Sequence, residues 1–216
     1  MHPIISVVGK SGSGKTSLLE QLVAELKQRG YKVAIVKHSH HAFELDTASK
    51  DTWRLSQAGS EISAIKSLNN LAIFRRMEHY FEPQEISNFV LWDYDLILTE
   101  GFKGSSYPKI EVHRREQGED LLTTPEQLLA VITDEPLEID VPQFSKDDVS
   151  KIADLIEKAM LAQQKEDDVD LIVNGASIPL SPSLKNLLSR TLIAMIPGQK
   201  DNDKIKSLHL SLRRKT

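Results

Sequence analysis

The stretch Gly9-Lys10-Ser11-Gly12-Ser13-Gly14-Lys15-Thr16 reads G-x-x-x-x-G-K-T, the P-loop pattern, and it limits the possible folds more than any other part of the chain. The apolar run Ile4-Ile5-Ser6-Val7-Val8 leads into it, and an amphipathic stretch over 17–29 leads out. Strand, glycine-rich loop and helix in that order are the context the pattern requires. A chance glycine-rich turn is the bland alternative, and the flanking strand and helix weigh against it.

The residue types explain the chemistry expected there. Gly9, Gly12 and Gly14 let the backbone turn tightly with no Cβ in the way of a phosphate. Backbone N–H groups of the loop, including those at Ser11, Ser13 and Ser17, then face an anion. The helix opening near Lys15 adds the positive end of its dipole. Lys15 is expected to reach the β- and γ-phosphates, and the Thr16 hydroxyl to ligate Mg²⁺.

With 216 residues the chain has room for one sizeable domain plus a small module. Its net charge of −4 argues against non-specific binding to nucleic acid or membrane surfaces. It has no cysteine, which excludes disulfides, thiolate zinc sites and a cysteine nucleophile. No apolar run approaches the ~20 residues of a membrane span. The expectation is a soluble cytoplasmic protein.

The remaining pattern is that of alternating strands and helices. Strands are predicted at 3–9, 32–37, 95–100, 108–113 and 128–134, and helices at 15–29, 49–58, 83–90 and 147–161. The runs 61–65 and 70–75 around Leu68-Asn69-Asn70 predict an antiparallel hairpin attached to a mostly parallel sheet, and a partner subunit is one way to cover its edge. The polar stretch Lys37-His38-Ser39-His40-His41 follows a strand's carboxyl end, where α/β sheets bind ligands. Its histidine spacing suits a solvated loop better than a closed metal site. Lys37 would add positive charge near the phosphates. Asp46 is either a helix cap or a carboxylate near the metal and the attacking water. Leu96-Ile97-Leu98-Thr99-Glu100-Gly101 is a buried strand ending in an acid, so Glu100 is the second metal-side candidate. Asp95, about 16 Å away at the strand's start, is not. Residues 102–107 read as a flexible loop. Asp134 closes a strand and could accept hydrogen bonds from a base, but no Asn-Lys-x-Asp sequence supports a choice of base.

Taken together, the P-loop, Lys37-His38-Ser39-His40-His41, Asp46 with Lys50-Asp51, Ala58-Gly59 and Leu98-Thr99-Glu100-Gly101-Phe102-Lys103 closely resemble the MobB family over residues 3–160. The resemblance implies a P-loop NTPase that binds GTP with Mg²⁺, hydrolyses it weakly and forms homodimers through extended β structure. It implies an accessory role in molybdopterin guanine dinucleotide synthesis beside MobA, the guanylyltransferase. Lys15 and Thr16 carry over as phosphate and Mg²⁺ ligands and Glu100 as the strand-end acid. Asp46 and Asp51 carry over as polar positions near the nucleotide.

The chain departs from the short members of that family after residue 162. Residues 163–170 read as a polar linker, and 171–216 as a small β-α-β module: a strand ending at Val173, a helix opening at Ser181-Pro182, and an alternating strand over 204–212. The basic end Arg213-Arg214-Lys215 reads as a frayed terminus. Two other classes remain open from residues alone. A small-molecule kinase using ATP would need a closing lid of arginines, for which Arg75-Arg76 and Arg114-Arg115 are scattered candidates. A non-catalytic nucleotide sensor would signal through the tail.

Overall fold

A computed structural model describes residues 3–39, 51–75, 82–90, 94–118, 120–163, 169, 171–173 and 176–196. Strand β1 (Ile4–Gly9) passes through the P-loop into helix α1 (Lys15–Gln28), and β2 (Val33–Lys37) follows. Gly30, at φ +94°, ends α1 in a Schellman turn, with Tyr31 N–H donating to the Leu26 carbonyl and Gly30 N–H to that of Lys27. Next come α2 (Asp51–Gln57), β3 (Ile62–Lys66), β4 (Leu71–Arg75), α3 (Pro83–Val90) and β5 (Leu96–Glu100). The domain closes with β6 (Lys109–Val112), β7 (Leu128–Ile132), β8 (Gln143–Phe144) and α4 (Val149–Gln163).

The main sheet has six strands in the order β2-β5-β1-β6-β7-β8, all paired in parallel. β1 and β5 lie inside it and are buried on both faces, which is why their sequences are almost continuously apolar. On one face Ile5, Val7, Leu98, Ile110, Val112 and Ile132 pack against Leu18, Leu22 and Leu26 of α1 and Ile152 and Ile156 of α4. Arg29 ties the two helices together, bonding Glu25, Asp154, Glu157 and the Ser150 carbonyl. A smaller cluster of Ile4, Ala34 and Ile97 lies apart from it. The buried hydroxyls of β1 and β5 pair with each other: Thr99 Oγ1 donates to Ser6 Oγ at 2.9 Å.

Three expectations need correction. The 61–75 hairpin forms, but as a separate two-stranded sheet of β3 and β4 rather than as an extension of the main sheet. The loop 102–107 is anchored rather than loose. Phe102 is buried against His38, and the buried ammonium of Lys109 donates to the carbonyls of Ser105 and Tyr107 and to Gln127. The tail begins with a hairpin, β9 (Leu171–Val173) and β10 (Ala176–Ile178), before α5 (Pro182–Ala194), so its described part is β-β-α. α5 opens at Ser181-Pro182 as expected, and the Ser181 hydroxyl caps it, accepting from Leu184 N–H. The strand expected over 204–212 and the basic terminus lie outside the described residues, as do Arg76 and most of the 163–170 linker.

Candidate functional site

Four parallel strands deliver their carboxyl ends to one edge of the sheet. β1 ends at Gly9, β5 at Glu100, β2 at Lys37 and β6 at Val112. The register places Glu100 beside Val7 on one side and Lys37 on the other, and Gly9 beside Val112. This is the crevice in which open α/β sheets hold ligands.

Gly9, Gly12 and Gly14 have φ of +147°, +76° and +98°, so the loop uses left-handed backbone at all three glycines. Gly14 is the N-cap of α1 and offers no capping side chain, leaving the N–H groups of the first turn to whatever occupies the loop. The Ser13 hydroxyl is buried with no hydrogen-bond partner among the described residues. Buried polar atoms are normally paired, so an orphan in the phosphate loop fits a site built for a polar ligand.

The expected residues converge. Lys15 Nζ lies over the loop, donating to the carbonyls of Gly9 at 3.0 Å and Lys10 at 2.8 Å. Partial burial lowers its pKa from the usual 10.5; Glu100 opposes the shift and Lys37 adds to it. Thr16 Oγ1 donates to Glu100 Oε2 at 3.1 Å, and Lys37 Nζ meets Glu100 Oε1 at 3.1 Å. The carboxylate is thus centred between the hydroxyl of the P-loop and a cation.

Two hard oxygen donors, Thr16 Oγ1 and Glu100, therefore stand together beside the phosphate loop, which is the donor set Mg²⁺ uses alongside nucleotide phosphates. Among the described residues no cluster of three or more His, Asp or Glu could hold a metal by itself. Mg²⁺ keeps several waters and takes one or two protein ligands, a number the Thr16–Glu100 pair supplies.

Other candidates fare differently. Asp51 starts α2 with its carboxylate almost fully exposed and 3.9 Å from Arg54, its one described partner. Asp46 and His40-His41 lie outside the described residues. Asp134 accepts a hydrogen bond from Arg115 N–H at 3.4 Å, and Arg115 pairs with Glu135, so the end of β7 is bound to the turn after β6.

That turn, residues 114–118, is what sequence reasoning missed. Lys10 Nζ donates to the Gln117 carbonyl at 2.6 Å, Gln117 Nε2 to the Ser11 carbonyl at 2.9 Å, and Arg114 Nε to the Ser13 carbonyl at 3.2 Å. The outer face of the phosphate loop is fastened at three residues by a segment about a hundred positions away. The available signal was that Arg114 follows the strand predicted over 108–113, much as Lys37 and Glu100 close theirs.

A scan against family models matches residues 4–134 to MobB, molybdopterin guanine dinucleotide synthesis protein B. A Haemophilus influenzae protein named molybdopterin-guanine dinucleotide biosynthesis adapter protein is 38% identical over 72% of this chain and 88% of its own. The Escherichia coli protein of the same name is 32% identical over 76% of this chain and 96% of its own. A putative adapter protein from Methanocaldococcus jannaschii, 26% identical, is matched over 97% of both chains and so spans the tail as well. Among solved structures, a crystal structure of MobB overlays with a TM-score of 0.54 at 31% identity, covering 72% of this chain and 98% of that one. Bacillus subtilis MobB overlays at 0.59 and 27% identity, covering 73% and 97%. The fold, the phosphate loop and these relatives agree: the chain belongs to the MobB family.

Proposed function

We propose that this protein is a GTP-binding accessory factor in the maturation of molybdenum cofactor to molybdopterin guanine dinucleotide, acting beside a MobA-type guanylyltransferase. The observation that carries the nucleotide reading is the convergence of Lys15, Thr16 and Glu100 at the open end of β1 and β5. The role in the pathway is supported by the adapter-protein names of the relatives. Lys15 binds the β- and γ-phosphates, and the loop N–H groups orient them. Thr16 and Glu100 hold Mg²⁺, which supplies neutralisation of phosphate charge. Lys37 holds Glu100 in place through their ion pair.

Hydrolysis at such a site is weak. Gln117, the glutamine bound to the loop, spends its side-chain N–H on Ser11 and follows β6, on the opposite side of β1 from Glu100. It is not placed to orient a water at the terminal phosphate. The protein acts in the cytoplasm as a homodimer joined through the β3–β4 hairpin. Among the described residues no helix is long and apolar enough to cross a membrane.

The test is calorimetric titration with GTP and ATP, each with and without Mg²⁺, followed by capture of the MobA-type enzyme. GTP preferred with Mg²⁺ is the expected result. Preference for ATP, or no discrimination between the two, would count against the assignment.

A further inference from the structure

A phosphate loop receives an anion only while its N–H groups face inward. In a planar trans peptide the carbonyl of the same unit must then face outward. A unit followed by glycine is the easiest to flip, because glycine takes either sign of φ that the two orientations require. Three such units occur here. Val8–Gly9 is held in the ladder between β1 and β6. Ser11–Gly12 and Ser13–Gly14 lie in the open part of the loop, outside any strand or helix.

The turn 114–118 grips both. Gln117 Nε2 donates to the Ser11 carbonyl at 2.9 Å, and Arg114 Nε to the Ser13 carbonyl at 3.2 Å. With both carbonyls drawn outward, the N–H groups of Gly12 and Gly14 are left on the inner side. Among the described residues no backbone carbonyl takes either of them. Lys10 closes the clamp, its Nζ donating to the Gln117 carbonyl at 2.6 Å. The turn is shaped around that ammonium: Gly118 has φ +106° and ψ 166°, a region open essentially to glycine alone, and a Cβ there would stand 3.0 Å from Lys10 Nζ. Arg115, joined to Asp134 and Glu135, ties the turn to the end of β7. The clamp therefore stands on the sheet and not on the loop that it holds.

Resting on the nucleotide-binding reading, we propose that Gln117 and Arg114 are positioning residues that lock these two peptide units in the anion-binding orientation before a ligand arrives, and that Lys10 fixes the lock instead of touching phosphate. Flipping either unit turns a carbonyl oxygen into the cradle, where it repels the anion. Apparent affinity then scales with the fraction of molecules whose loop is correctly set. Because the lock acts before binding, its loss slows association and leaves dissociation unchanged.

Gln117→Ala tests this without altering charge. Stopped-flow binding of N-methylanthraniloyl-GTP with Mg²⁺ to the full chain reads both rates, and calorimetry compares GTP, GDP and inorganic tripolyphosphate. Loss of one hydrogen bond predicts an affinity about 3- to 10-fold lower. The fall should be the same for all three ligands, which use the same loop N–H groups. The association rate should drop by that factor, with the dissociation rate within about twofold of wild type. Lys10→Met, measured in about 0.5 M KCl to screen the lost charge, should show the same pattern. A loss seen in the dissociation rate would make the residue a ligand contact and overturn the proposal. So would a loss confined to the two nucleotides, or unchanged association in both variants. Wild-type protein that binds neither nucleotide would instead overturn the nucleotide-binding reading, and this proposal with it.

Discussion

One hydroxyl and two lysines set the chemistry at Glu100. One of its oxygens accepts from Thr16, the other is paired with Lys37, and its field reaches Lys15. Glu100→Gln keeps the shape and removes the charge. GTP binding should persist, while the gain in affinity on adding Mg²⁺ should disappear, because the metal loses its protein carboxylate. Unchanged Mg²⁺ titration curves would rule out the metal role. Lys15→Ala should abolish binding altogether, since the phosphates lose their main cation, and micromolar affinity retained in calorimetry would contradict it. The pH dependence follows from the same group. Burial lowers the Lys15 pKa, and the ammonium is the form that attracts phosphate, so affinity should be full at neutral pH and fall as pH rises, beginning below the usual lysine value. Glu100 is the contribution that raises this pKa. In Glu100→Gln the alkaline fall should therefore begin at still lower pH, and a shift the other way in affinity measured from pH 7 upward would refute the coupling.

The glycine positions show how the elements constrain one another. Gly9 ends β1 beside Val112 of β6, and at φ +147° a Cβ there would stand 2.5 Å from the Val112 carbonyl oxygen and 2.7 Å from Ser13 Oγ. The first obstacle is backbone and cannot swing aside. Gly9→Ala should cost about 2–4 kcal/mol in chemical denaturation, from backbone strain plus the clash. At Gly104 an added Cβ meets nothing within 4 Å, and Gly104→Ala should stay within about 0.5 kcal/mol of wild type. Similar losses at both positions would undermine the steric account. Constraints of this kind also decide what could be read beforehand. The P-loop, the acid closing β5 and the helix stops at Gly30 and Gly59 are local patterns, legible because residue type and position are adjacent in the chain. The pairing of β9 with β10 is local as well, but strands of three residues are too short to show the alternation that marks a strand. Strand β8, two residues long, has no periodicity to read. Arg114 and Gln117 belong to a different category. Their bonds to Ser13 and Ser11 span 101 and 106 positions and exist because β6 lies beside β1, an order that residue patterns do not encode.

At the level of the whole molecule, the β3–β4 hairpin stands outside the main sheet and is the part least able to justify itself alone. A two-stranded ribbon is marginal in water unless something packs on it. Its register puts Ile62, Ala64, Leu71 and Ile73 on one face, and Ser63 and Phe74 on the other. Ser63 is buried and Phe74 partly buried, with α2 packed on β3. The first face is open: Ile62 is 53% exposed, Leu71 63% and Ile73 46%. Exposed apolar faces of this size rimmed by lysine and arginine, here Lys66 and Arg75, mark interaction surfaces. A second copy of the chain could bury both open faces against each other, and among the described residues each ribbon pairs only its own two strands, which leaves edges for a partner. That geometry makes a distinct prediction for the double variant Leu71→Lys, Ile73→Lys. Both sites are exposed in the single chain, so its folding stability should change by less than about 1 kcal/mol. Placing two ammonium groups per subunit in the shared face should raise the dimer dissociation constant by about 100-fold or more. Sedimentation velocity across a dilution series reads the outcome. A dimer that survives the double substitution would place the subunit contact elsewhere, and a wild-type protein that sediments as a monomer at every concentration would leave the hairpin's open face for a different partner in the pathway.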